Sequence, residues 1–203
     1  DAIFEAWRRR EVYATSGPRI PVRFFGGWEF SEDLCSNPKA LIETGYSSGV
    51  PMGGTLSEAS SDAPIFLIRA EMDEGTAEFP GVPLQRMQVV KGWIQSDGTT
   101  HERVYDVAGD VENGASVDSA TCVTQGKDAE VLCARWRDPD FNPQLSAFYY
   151  VRVLQNPTCR WSTSQCAAFG GEDRPAGCGT LIPDTVQERA YTSPIWYVPP
   201  GDE

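Results

Sequence analysis

Histidine is nearly absent from this chain: His101 is the only one among 203 residues. Lysine is scarce too, with Lys39, Lys91 and Lys127 alone against an Arg-rich remainder. No two of the six cysteines form a C-x-x-C pair, so zinc-type ligand spacing is absent. No apolar run approaches the length of a membrane-spanning helix. No internal repeat or low-complexity tract interrupts the chain. Positive charge is short overall, the net charge being −12. Residues 1–30 hold five Arg against four acids, so the acidity lies in the rest of the chain. Such a surface repels phosphate backbones and anionic lipid, which excludes nucleic acid and membrane as expected partners.

What is present describes a folded β-protein. Apolar residues make up 40% and there are six Trp, enough for a real core. AIFEAWRRR at 2–10 fits a short helix, with Ile3, Phe4 and Trp7 on one face, Asp1 as N-cap and three Arg at the C-terminal end. VYAT and RIPVRFF read as strands separated by Ser16-Gly17-Pro18, the second alternating around Val22 and Phe24. Residues 19–62 read as a loop-rich connector in which NPKALIETGY carries a short helix. From residue 63 to 200 the period becomes that of strands: APIFLIRAEM, LQRMQVVKGWIQ, HERVYDVAG, DSATCV, EVLCARW, SAFYYVRVLQ and ERAYTSPIWYVP. About seven strands without helical crossovers predict a mainly β, immunoglobulin-like antiparallel sandwich with long irregular loops, preceded by one short helix and strand. Asp97-Gly98 supplies a hairpin turn, and TCVTQGKDAEVLC reads as a second hairpin.

The six cysteines are Cys35, Cys122, Cys133, Cys159, Cys166 and Cys178. An even number without metal spacing favours disulfides and an oxidising compartment over buried thiols. The expected pairs are Cys122 with Cys133, across the second hairpin, and Cys159 with Cys166. Cys35 and Cys178 are left over, with nothing in the sequence to join them.

Three motifs carry potential chemistry. Gly45-Tyr46-Ser47-Ser48-Gly49 matches the hydrolase pattern G-x-S-x-G, with His101 as the one available base. That pattern needs a strand, a tight elbow and then a helix, whereas a helix-like stretch precedes Ser47, so a glycine-rich turn is the expectation. Asp138-Pro139-Asp140 resembles the start of a calcium loop, but Pro143 and Tyr149 occupy the positions where Gly and Glu are required, and a polar turn is expected. Arg160, Trp161, Tyr191 and Trp196, with Tyr197 beside them, are read as core and sandwich edge or as a ligand-stacking surface.

Several long stretches together resemble a known family. EAWRRREVYATSGPRI, GVPMGGTL, PLQRMQVVKGWIQSDGTTHERVYDVAG, DPDFNPQLSAFYYVRVLQNPTCRWST and QERAYTSPIWY look like the C-terminal part of the domain-of-unknown-function family 3604. The resemblance implies a larger, exported protein related to the PHP (polymerase and histidinol phosphatase) metallohydrolases, secreted or periplasmic. It implies that residues 1–18 are the last helix and strand of a PHP-like barrel. The barrel is then the expected partner, and its remainder holds a divalent metal through ligands lying before this chain. No metal ligand and no catalytic residue of the family can be placed on this sequence, so no cofactor is expected within it. An accessory β-domain predicts an exposed apolar face at Ile3, Phe4 and Trp7. A free-standing glycan or small-ligand module instead predicts exposed rings among Trp161, Tyr191, Trp196 and Tyr197.

Overall fold

Strand alternation places two apolar layers face to face. The computed structural model describes residues 1–57, 62–127, 129–169, 177–179 and 182–200. In chain order the elements are α1 (Ala2–Arg8), β1 (Tyr13–Thr15), β2 (Val22–Gly27), α2 (Pro38–Ser48), β3 (Val50–Pro51), β4 (Thr55–Leu56) and β5 (Ile65–Glu71). The long strands β6 (Leu84–Ile94) and β7 (Thr100–Gly109) follow, then β8 (Ser116–Val117), β9 (Thr124–Gln125), β10 (Val131–Arg137) and β11 (Ala147–Gln155). The chain closes with β12 (Thr158–Cys159), α3 (Trp161–Ala168), β13 (Thr185–Val186), β14 (Arg189–Thr192) and β15 (Ile195–Tyr197). The fold is a mainly β sandwich with a short N-terminal helix.

The larger sheet has seven strands with β11 at its centre. One side of β11 pairs with β6, which pairs with β7; the other side pairs with β14 and then β15, which extend to β1 and β4. The smaller sheet runs β10-β5-β2-β3. Met87, Val89, Tyr149, Val151 and Val153 of the first sheet meet Val22, Phe24, Phe66 and Ile68 of the second in one buried core. The other face of the smaller sheet is also covered. Phe25, Ile65 and Leu67 pack under Leu41 of α2 and Leu34 of a 3-10 turn at Glu32–Ser36. That second layer is why Phe24 and Phe25 are both buried, where simple alternation predicts only one of them.

The β6–β7 hairpin forms as expected. Gly98 adopts φ +85°, and the Asp97 carboxylate accepts from the Thr99 amide at 2.8 Å. The second expected hairpin does not. Val131–Arg137 pairs along its length with β5, because Leu132 and Ala134 belong to the core, while Thr124–Gln125 pairs with β8. ERAYTSPIWYVP splits into β14 and β15 at Ser193-Pro194, and WSTSQCAA forms α3, which the sequence pattern did not predict.

The cysteine pairing corrects the expectation. All six are oxidised, as Cys35–Cys133, Cys122–Cys159 and Cys166–Cys178. Cys122 and Cys133 separate because β10 leaves for the smaller sheet, where Cys133 meets the 3-10 turn carrying Cys35. Cys122 instead faces β12, whose Cys159 completes the bond. Three intramolecular disulfides fit an oxidising, extracellular or periplasmic environment.

Candidate functional site

Two surface features stand out, one on α1 and one on the outer face of the seven-stranded sheet. The first begins with helix termination. Arg10 takes a left-handed φ of +59° just past the end of α1. The Glu11 amide then donates to Ala6 O and the Arg10 amide to Trp7 O, both at 2.9 Å. This is the Schellman arrangement, with Arg at a position where Gly is usual. Asp1 stands at the N-cap without a side-chain cap bond.

The junction between α1 and β1 is held down firmly. Arg9 pairs with Glu11 at 3.0 Å, and the Tyr46 phenol of α2 donates to the other Glu11 carboxylate oxygen. Burial of Tyr46, and then its bond to Glu11, push that phenol above its ordinary pKa. Gly53, with φ +87°, lies so close that a Cβ there sits 2.4 Å from Arg10 O. β1 continues by pairing with β14. With this side fixed, Ile3, Phe4 and Trp7 point away, 79%, 65% and 72% exposed. None of the described residues covers them.

The second feature follows from register. Phe148 of β11 lies opposite Gly92 of β6 and Trp196 of β15, and Tyr150 lies opposite Val90. Arg152, next on the same face, lies opposite Tyr191 of β14. The rings form a continuous row: Trp196 to Phe148 at 5.5 Å, Phe148 to Tyr150 at 6.5 Å, Tyr150 to Tyr191 at 6.4 Å. Gly92 lets the Phe148 ring lie against the backbone, since a Cβ there stands 2.3 Å from the ring. Val90 is buried on this same face, although it belongs to neither apolar core. Burial, followed by the nearby Glu102 carboxylate, raises the Tyr150 pKa. The row ends at a cleft of about 400 Å3 lined by Trp93, His101, Glu102, Phe148 and Trp196. There Trp93 and His101 stack at 5.2 Å.

Of the residues read as a ligand surface, Tyr191 and Trp196 join this row, while Tyr197 is buried in the core. Arg160 and Trp161 lie elsewhere, at the start of α3; Trp161 is exposed and shares no ring contact among the described residues. Phe148, Tyr150 and Gly92 escaped the sequence reading. The glycine inside KGW was the available signal, because glycine in a strand interior marks close approach by another group.

The motif residues also find places. Ser47 sits in the last turn of α2 and donates to Thr44 O at 3.4 Å. It lines a cleft with Trp28 and Glu29, separate from that of His101. Asp138 is buried against Lys91, and Asp140 accepts from Arg103 and Tyr105 at 2.8 and 2.6 Å. Both carboxylates are therefore committed to protein donors. Among the described residues no group of three His, Cys, Asp or Glu is placed to hold a metal ion.

No curated protein and no solved structure matches the chain. One family model does, over residues 1–199, nearly the whole length. It spans both the α1 junction and the aromatic row, and the chain belongs to the family described as Protein of unknown function (DUF3604).

Proposed function

We propose that this chain is the accessory β-domain of a larger, secreted PHP-like hydrolase. It docks on a barrel through Ile3, Phe4 and Trp7, and the catalytic metal is held by the barrel. The supporting observation is the pairing of an anchored helix with a bare apolar face. Three large side chains are exposed on seven residues of helix, while the following junction is fixed by a salt bridge, a buried glycine and a strand pairing. Exposed apolar patches of this kind mark interaction sites. In this reading the sandwich stabilises the barrel and borders access to it. The oxidised cysteines support export.

The test is reconstitution. The barrel segment of a full-length family member is produced separately and titrated with this chain by calorimetry. Saturable binding that Phe4→Asp and Trp7→Asp abolish is the expected result. Divalent-metal-dependent phosphoester hydrolysis should then follow the barrel and not the chain alone. Absence of binding, or binding indifferent to both substitutions, overturns the reading.

A further inference from the structure

The row Trp196, Phe148, Tyr150 and Tyr191 is independent of the α1 face and carries a separate conclusion. We propose that the outer face of the seven-stranded sheet binds a neutral oligosaccharide along this row, with one sugar held in the cleft beside Trp93 and His101.

The geometry sets the shape of the ligand. Four rings at successive spacings of 5.5, 6.5 and 6.4 Å extend beyond what a single small molecule needs. They suit a chain of flat-faced units. The rings are half-buried at their bases, with Trp196 the most exposed at 40%. The Phe148 ring closes over Gly92, where a Cβ would stand 2.3 Å from it, and neighbouring ring planes along the row meet at 54°, 13° and 43°. Sugar rings present C–H faces that pack on aromatic rings and hydroxyls that donate at their edges.

Charge sets the chemical class. Single-stranded nucleic acid also stacks along aromatic rows, but it requires a basic groove to track its phosphates. Here the chain carries −12 and the cleft is lined by Glu102. The cations beside the row are engaged within the protein: Arg152 donates to Gln88 at 2.7 Å, Arg189 donates to Gln187 O at 3.1 Å and to the Tyr191 hydroxyl at 3.3 Å, and Arg86 lies 3.6 Å from Asp106, which also accepts from Gln88 at 2.8 Å. The Glu102 carboxylate, opposite Gly92, and the Asp106 oxygen that does not hold Gln88 flank the row and can accept from sugar hydroxyls. A polyhydroxylated, uncharged polymer satisfies both the rings and the acids.

Affinity electrophoresis of the intact, oxidised chain tests this. Gels contain hydroxyethylcellulose, xylan, galactomannan, β-1,3-glucan or soluble starch, with heparin and oligo(dT) as polyanion controls. Retardation by at least one neutral polymer and by neither polyanion is expected. Trp196→Ala and Phe148→Ala should each weaken it by about tenfold or more, and Tyr191→Ala should weaken long oligomers more than a disaccharide of the same sugar. Trp161→Ala should change nothing. Because Trp196 is surface-exposed, its loss spares the core, and near-UV circular dichroism checks that. Retardation by no neutral polymer, retardation by polyanions only, equal retardation of Trp196→Ala, or a stable dimer that buries the row each overturns the proposal. All these substitutions lie off α1, so either conclusion can fail while the other stands.

Discussion

The Lys91 ammonium lies 2.6 Å from the Asp138 carboxylate, and both side chains are almost wholly shielded from water. Lys91 also donates to Asp140 O at 2.7 Å and stands over the Trp93 and Tyr149 rings. Asp138 accepts from the Tyr149 hydroxyl at 2.7 Å and the Asp140 amide at 2.9 Å. Each charge is thus paired and hydrogen-bonded, the condition under which a buried ion pair persists.

Breaking that pair from one side should cost more than removing it. Lys91→Met leaves Asp138 buried without its cation and should destabilise the chain by about 3–5 kcal/mol. The double variant Lys91→Met/Asp138→Leu should recover part of that loss. Urea unfolding of the two single variants and the double variant gives the coupling. A double variant no more stable than Lys91→Met would mean that the charges are not what matters here.

Tyr149 adds a pH dependence. Burial, then the Asp138 charge, then the hydrogen bond to Asp138 hold its phenol well above the ordinary 10.0. A raised folded pKa means that the unfolded chain loses the proton first. The stabilisation is therefore complete below pH 10 and falls as pH rises above it, by about 1.4 kcal/mol per pH unit for this one group. Tyr149→Phe should be less stable at pH 8, having lost the bond to Asp138. It should also fall less steeply above pH 10, so that the two stability curves approach each other as the pH rises. Parallel curves in urea titrations at several pH values would remove Tyr149 from the account.

Much of this architecture was legible in the sequence. Asp97-Gly98 located a hairpin because a tight turn needs positive φ, and Val22 and Phe24 identified a core face by alternation. Phe25 escaped because α2 covers a face that a lone sandwich leaves wet. In SAFYYVRVLQ aromatics stand on both sides of the strand. Tyr149 enters the core with Val151 and Val153, while Phe148 and Tyr150 share the outward side of the strand with Arg152. The cysteine partners depend on which sheet each strand joins, which local pattern does not specify. Trp161 lay in an unpredicted helix because WSTSQCAA has no marked apolar face.

The disulfides should rank by the loop each closes. Cys35–Cys133 spans 98 residues, Cys122–Cys159 spans 37 and Cys166–Cys178 spans 12. Chain entropy then assigns them about 4.7, 3.8 and 2.8 kcal/mol. Paired Cys→Ala variants should lose thermal stability in that order. Non-reducing peptide mapping checks the connectivity directly, and a Cys122–Cys133 peptide would contradict the strand assignment of β10.

Two glycines with nearly the same backbone should behave differently. Gly53 and Gly98 have φ of +87° and +85°, but a Cβ at Gly98 meets nothing within 4 Å, whereas at Gly53 it meets Arg10 O at 2.4 Å and Arg9 O at 2.7 Å. Gly98→Ala should cost only the conformational penalty, about 1–2 kcal/mol. Gly53→Ala must also push the α1–β1 junction off the body of the domain. Brief trypsin digestion reads that displacement, because Arg8, Arg9 and Arg10 lie in the segment that is released. Gly53→Ala should be cut there several times faster than wild type, and Gly98→Ala at the wild-type rate. Equal rates for the two variants would mean that Gly53 does not hold α1 in place, and the anchored presentation of Ile3, Phe4 and Trp7 would lose its physical basis.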